Sequence, residues 1–321
     1  MTNSVKAVKE RVEAKLLAIP GVSGVGYNGS INVYVKELNP KVLAFIPKTI
    51  EGITVHVIKG SFSLLSLLPA SAIYSIRTGR FRPAPGGVSI GHYKVTAGTL
   101  TCKTIDNASG EVRGLGNNHV VALNWGTEKI GVKGDPELQP GPYDGGTVSN
   151  DTLGTLQDWI PVELNKDNLI DAGTFYSDQL DNKIEEVGIP EPSMEPYVGQ
   201  KVLGSGRSSG LNFSTCIDVD ATINVEGFGV CKFVHQCIYK PALLLPGDSG
   251  KWIGDVDTLR SVSLGFAGDP DISAANKMTN VESLLKLRAI PPLPYLDLRL
   301  AMGIPILGSI IANYPIGSRK K

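Results

Sequence analysis

The chain has 321 residues, 42% of them hydrophobic and 19% charged, so it can bury a sizeable core and is not a disordered polymer. Its 31 basic residues balance 31 acidic ones, which leaves no overall field to draw nucleic acid or an anionic membrane. The 37 glycines and 21 prolines favour short strands and turns over long helices, and four cysteines are too few for a disulfide scaffold.

Met1 to Glu10 is polar and lacks the apolar centre of a secretion signal, so a reducing, cytoplasmic setting is expected. Ser4 reads as a helix N-cap, with Val5, Val8, Val12 and Leu16 at helical spacing until Pro20 ends the run. Val22 to Tyr27, an Asn28-Gly29 turn and Ile31 to Val35 read as a hairpin. A short helix at Val42 to Phe45 and a strand at Ile53 to Ile58 complete a small α/β accessory domain over residues 1–60. Gly24 to Gly29 matches the GxGxxG dinucleotide spacing, but a strand follows where nucleotide binding needs a helix.

Residues 61–85, with an apolar patch from Leu64 to Ala70 and then several Arg and Pro, read as a linker. From Gly86 the chain turns to short β-rich runs punctuated by glycine, and a Pro/Glu-rich break at Glu185 to Pro196 divides it into similar halves. Two β-barrels, about 86–184 and 197–290, fit this texture, with a closing helix at Val281 to Leu287. Residues 291–321 form an apolar tail interrupted by Pro305, Asn313 and Pro315, which disfavours a membrane span. An extended C-terminal arm covering its own body or a second subunit is expected, making the protein a homo-oligomer.

The stretch that carries chemistry is Pro246-Gly247-Asp248-Ser249-Gly250. A serine between glycines on a tight loop can approach a carbonyl closely, and the Gly247 and Ser249 amides can both point at an oxyanion. Such a serine needs a base and a group that orients the base. His56 and His92 sit within strand-like runs and read as structural. His119 differs, standing at the end of a strand that starts near Glu111. Asp171 follows the apolar run Leu169-Ile170, where a buried carboxylate needs a partner such as an imidazole N–H. The order His119, Asp171, Ser249 is that of the chymotrypsin type.

Several segments add to this: Gly98 to Cys102, Asn117 to Val120, Gly134 to Pro136, Leu138 to Gly146, Asn168 to Ala172, Gly204 to Gly210 and Gly247 to Gly250. Together they resemble a branch of trypsin-like serine peptidases found in bacteria, archaea and their viruses and similar to the plant narrow-leaf proteins. The resemblance spans roughly residues 86–285. It implies a mainly β, double-barrel fold of chymotrypsin type. It also implies an intracellular serine endopeptidase acting on protein or peptide substrates, with no cofactor and no nucleic-acid partner. The alternative is a self-assembling structural protein on the same body with little activity.

The chain departs from that family where Lys251-Trp252 replaces the usual Gly-Pro, and these long side chains are expected to narrow the cleft on the leaving-group side. Asp248 matches the acid that pairs with a newly cut N-terminal amine in activated trypsins, and here it needs another partner. Six residues before the nucleophile, Leu243 is expected at the floor of the substrate pocket, with Gly265 and Phe266 along its wall. That pocket selects an uncharged side chain, because a buried cation without a partner is costly.

One further cluster stands apart. Cys231, Phe233, His235 and Cys237 alternate along one strand and would share a face, with Cys216 brought near by a hairpin. Zinc, a cross-strand disulfide and buried free thiols are the options. The spacing is not that of a zinc knuckle, and free thiols are favoured.

Overall fold

The computed structural model describes residues 4–64 and 76–289. The apolar patch expected after Leu64 and the arm at 291–321 lie outside the described residues. The architecture is mainly β and built as two barrels, as the glycine-punctuated texture suggested.

The first barrel comes from an eight-stranded sheet. Its strands run in the order Leu287–Ala289, Cys102–Asp106, Val112–Gly116, Gly173–Tyr176, Thr152–Trp159, Pro136–Leu138, Ser89–His92 and Gly98–Thr99. Only two residues separate Gly98–Thr99 at one edge from Cys102–Asp106 near the other. The Leu100 amide bonds the Val88 carbonyl at 2.8 Å and the Thr101 amide bonds Leu115 at 2.9 Å, so the sheet curls onto itself. Val88, Ile90, Leu100, Val120, Val121, Leu156 and Phe175 fill its interior.

The second barrel is a closed ring. Gly210–Gly227, Gly229–Lys240, Ser273–Lys277, Ser261–Gly268, Trp252–Asp255 and Lys201–Gly206 pair in turn, and the last returns to the first. Its Gly210–Gly227 strand is 18 residues long, more than one barrel uses, and the surplus carries the N-terminal elements.

Those elements form much as read. Ser4 caps the Val5–Leu17 helix, its hydroxyl accepting from the Ala7 amide at 3.2 Å. Val22–Tyr27 and Ile31–Val35 make the hairpin, and Ile53–Lys59 adds a parallel strand. The short helix lies at Pro40–Leu43. These strands join the sheet of the second barrel through Gly24↔Ile223 and Val25↔Thr222. Lys9, fully buried, reaches Thr222 Oγ1 at 2.9 Å, so the helix is tied to the same strand. GxGxxG is therefore strand and turn, packed on a neighbouring strand. The closing helix spans Met278–Leu285. Among the described residues no helix is long and apolar enough to cross a membrane.

Candidate active site

His119 lies in a one-turn helix, Asn118–Val121, entered from the Val112–Gly116 strand of the first barrel. Asp171 stands in the segment that leads from Asp167–Asn168 to Gly173–Tyr176. Its carboxylate holds His119 twice: one oxygen accepts the His119 amide at 3.1 Å and the other meets Nδ1. Both side chains are fully buried. With the Nδ1 proton donated to Asp171, the Nε2 lone pair is left to act as a base. Nε2 is buried and has no hydrogen-bond partner among the described residues. Asp171 is itself fixed by its neighbours: its amide donates to Asn276 Oδ1 at 3.0 Å, and Asn117 Nδ2 donates to its carbonyl at 2.7 Å.

Ser249 belongs to the second barrel, on the loop before Trp252–Asp255. Its Oγ is directed to the Phe266 carbonyl at 3.4 Å, a long contact that leaves the hydroxyl weakly committed. The serine is fully buried. The Gly98-Thr99 segment lies directly against this loop. The Thr99 amide donates to the Ser249 carbonyl at 2.7 Å, and a Cβ on Gly98 would come within 2.7 Å of that carbonyl. Gly250 has φ +100°, and a Cβ there would sit 2.0 Å from the Thr99 carbonyl. Only glycine fits either place. Neither the Gly247 nor the Ser249 amide donates to a protein acceptor among the described residues, which is the condition for both to serve an incoming oxygen.

Asp248 finds its partners in the backbone. One carboxylate oxygen accepts the Ser208 and Ser209 amides at 2.8 and 3.1 Å, and the other accepts the Leu245 amide at 2.9 Å. The expected effect of Lys251 and Trp252 on the cleft is corrected, because both are completely buried. Trp252 lies in the core and donates Nε1–H to Ser261 Oγ at 2.9 Å. Lys251 Nζ turns under the loop toward four oxygens: Ser209 Oγ at 2.7 Å, Asn212 Oδ1 at 2.6 Å, and the Gly210 and Leu243 carbonyls at 3.1 Å each. Burial pushes its pKa down to about 8, against an upward pull from Asp248.

The expected pocket residues are placed as follows. Leu243 packs among Val202, Cys216, Tyr239 and Ile253 with no exposed surface, and its amide donates to Ser273 Oγ at 2.9 Å. Its neighbour Leu244 is the residue against Gly265, 2.7 Å from where a Cβ would be. Phe266 points into the barrel and packs on Phe233 with ring centres 4.8 Å apart and the planes tilted by 44°. A cavity of about 420 Å³ instead opens beside His119, lined chiefly by Val95, Thr96, Leu123, Pro142, Tyr143 and Phe228.

Sequence reasoning missed Trp125. Its ring stands edge-on to His119 at 6.0 Å and stacks on Phe233 at 5.2 Å, so an aromatic row runs from the histidine to Phe266 beside the serine. It also missed Asn276, whose partner Asp171 is more than a hundred residues away, and it singled out the segments holding Thr99, Asp144 and Arg207 without giving those residues a role.

The alternation expected for the cysteine strand fails at His235. That residue takes φ +60°, and the register with Gly210–Gly227 shifts on the facing strand. Its half-exposed imidazole turns to Asp220, away from the buried Cys231 and Cys237. All four cysteines are free thiols, and among the described residues no group of three or more His, Cys, Asp or Glu is arranged to hold a metal.

Solved structures similar to this chain include Thermobifida fusca protease A, with 14% identity and a TM-score of 0.47 over 65% of this chain and 98% of that one. Nocardiopsis protease has 15% identity and a TM-score of 0.46 over 64% and 97%. Cellulomonas bogoriensis chymotrypsin has 13% identity and a TM-score of 0.45 over 65% and 99%. No protein-family model matches the sequence, and neither does any curated relative.

Proposed function

We propose that the chain is a serine endopeptidase of chymotrypsin type, acting in the cytoplasm on protein or peptide substrates through His119, Asp171 and Ser249. The observation that supports this reading is the buried pairing of Asp171 with both the amide and Nδ1 of His119, which leaves Nε2 unpartnered among the described residues, while Ser249 stands on a glycine loop.

In this reading the Ser249 Oγ–H proton passes to His119 Nε2 as Oγ bonds to the substrate carbonyl carbon. The carbonyl oxygen becomes an oxyanion held by the Gly247 and Ser249 amides, each contributing about 3–4 kcal/mol in comparable sites. Nε2–H then protonates the amine nitrogen as the C–N bond breaks, which leaves an ester on Oγ. Water attacks the ester, gives a proton to Nε2, and the acid departs as Oγ recovers that proton. Asp171 keeps the imidazole in one tautomer and balances the imidazolium.

The preference for an uncharged residue before the scissile bond is kept as part of this proposal, since Leu243, Gly265 and Phe266 bring no charge to the expected pocket. The C-terminal arm joins subunits in this proposal, and truncation after Ile290 reduces the assembly seen by light scattering.

A second reading, a self-assembling protein with little activity, draws on the burial of Ser249 and its contact with Phe266 rather than His119. Hydrolysis of a peptide library separates the two. Wild type should cleave after uncharged residues, and Ser249→Ala or His119→Ala should cleave nothing. A wild type that is folded and inert supports the second reading, and a dominant preference for Lys, Arg, Asp or Glu refutes the pocket.

A further inference from the structure

The segment Gly141-Pro142-Tyr143-Asp144-Gly145-Gly146 has no part in the proton transfers above, yet it reaches the nucleophile loop. Its Asp144 carboxylate and the Arg207 guanidinium form a two-pronged pair, Nε to Oδ2 at 2.6 Å and Nη2 to Oδ1 at 2.5 Å, with both side chains more than nine-tenths buried. Asp144 comes from the first barrel's connections and Arg207 from the end of Lys201–Gly206 in the second. The pair therefore joins the half that supplies His119 to the half that supplies Ser249.

From Arg207 the contacts run to the oxyanion loop by three routes. Nη1 donates to Ser208 Oγ at 2.9 Å, and that hydroxyl donates to the Pro246 carbonyl at 2.6 Å. Nη1 also lies 2.5 Å from where a Cβ on Gly247 would be, so the guanidinium forms the floor under that residue. The Arg207 amide donates to Thr99 Oγ1 at 3.0 Å, and Thr99 Oγ1 donates to the Gly247 carbonyl at 3.0 Å. The bond to the Pro246 carbonyl orients the 246–247 peptide, which carries the Gly247 N–H, and the bond to the Gly247 carbonyl orients the adjoining 247–248 peptide between the two oxyanion amides. Asp144 is held in turn by Ser89 Oγ at 2.5 Å. Tyr143, on the wall of the cavity beside His119, lies against Arg207 at 5.4 Å.

We propose that Asp144 and Arg207 are positioning residues that lock the Gly247–Ser249 amides in the oxyanion-binding orientation and in register with His119. The proposal rests on the reading of Ser249 as a nucleophile. A paired fork of this kind fixes direction as well as distance, which a lysine cannot reproduce. Because Gly247 carries no substrate side chain, the cost of losing the lock falls on the transition state and not on ground-state binding.

The test measures phosphonylation of Ser249 by a fluorophosphonate and hydrolysis of one peptide by full-length wild type, Asp144→Asn, Arg207→Lys and Thr99→Val, with thermal unfolding alongside. Asp144→Asn and Arg207→Lys should lower the labelling rate and kcat by about 10²-fold with KM little changed, as a displacement of about 1 Å does elsewhere. Thr99→Val breaks the same route without removing a charge, and it decides the matter if a pair variant fails to fold. Labelling at the wild-type rate by any folded variant of the three, or a loss confined to KM, overturns the proposal. A wild type that is folded and does not label refutes the nucleophile reading instead, so the two failures are told apart.

Discussion

Replacing Lys251 by methionine tests how the Ser249 loop is held from below. The substitution keeps the length of the side chain and removes one ammonium that faces four oxygens. Two of these keep other options: Leu243 O still accepts Asn212 Nδ2 at 3.0 Å, and the Ser209 hydroxyl can rotate. The Gly210 carbonyl keeps only the Ser209 hydroxyl at 3.4 Å and Asn212 Oδ1 loses its donor, and a buried acceptor left weakly or wholly unpaired costs about 1–3 kcal/mol. Against this, the folded state no longer carries a buried charge. Lowering the pKa from 10.5 to about 8 means that charging Lys251 inside the fold costs about 3 kcal/mol more than in the unfolded chain. The two effects largely offset each other at neutral pH, where Lys251→Met should lose about 1–2 kcal/mol.

The pH dependence of the difference is the sharper result. Between about 8 and 10.5 the unfolded wild type binds a proton that the folded protein has released, so wild-type stability rises with pH in that window. Lys251→Met has no such group. The gap between the two in urea unfolding should therefore widen by about 2 kcal/mol from pH 7.5 to pH 9.5. A gap that stays constant or narrows would show that Lys251 is not the desolvated cation described.

Asp218 gives the opposite sign. Burial raises its pKa to about 6, although Asn32, Tyr34 and the Asp220 amide donate to it. Its favourable contribution is complete below about pH 4 and lost as pH rises through 6, so Asp218→Asn should gain up to about 3 kcal/mol relative to wild type across that interval. Urea midpoints at pH 4 and 7 check this, and parallel curves would refute it. Gly250→Ala places a methyl 2.0 Å from the Thr99 carbonyl at φ +100°. It should destabilise by at least about 2 kcal/mol or displace the loop, seen as a lower Tm together with loss of peptide hydrolysis. An unaltered Tm and rate would contradict the packing described.

The parts of this structure that were legible in the sequence rest on short-range rules. Ser4 announces its helix by capping it, Asn28-Gly29 announces a hairpin, and glycine punctuation announces short strands. The pairing of His119 with Asp171 was legible because few residue types can satisfy a carboxylate that follows an apolar run. Three of the seven segments that resembled a family meet at the loop: Gly98-Thr99 on its back, Arg207 at its floor with Asp144 behind it, and Ser208 and Ser209 on Asp248.

What escaped has long-range causes. The pairing of Val25 with Thr222 spans nearly two hundred residues and leaves no local trace, so the N-terminal elements read as a domain of their own. Strand alternation misplaced His235 because a left-handed residue within a strand reverses the faces, and nothing in Val234-His235-Gln236 marks it. Lys251 read as a surface obstruction because the oxygens that make its burial tolerable come from residues 209, 210, 212 and 243. Leu243 was set at a pocket floor by counting, whereas the side chain that reaches Gly265 is that of Leu244.

The central claim is that Ser249 is a nucleophile activated by His119. Intact-mass spectrometry after exposure to a fluorophosphonate measures it most directly. Wild type should gain one phosphonyl group, located on Ser249 by peptide mapping, while Ser249→Ala gains none and His119→Ala reacts at least about 10³-fold more slowly. A folded wild type without the adduct, or an adduct that persists in Ser249→Ala, would contradict the claim.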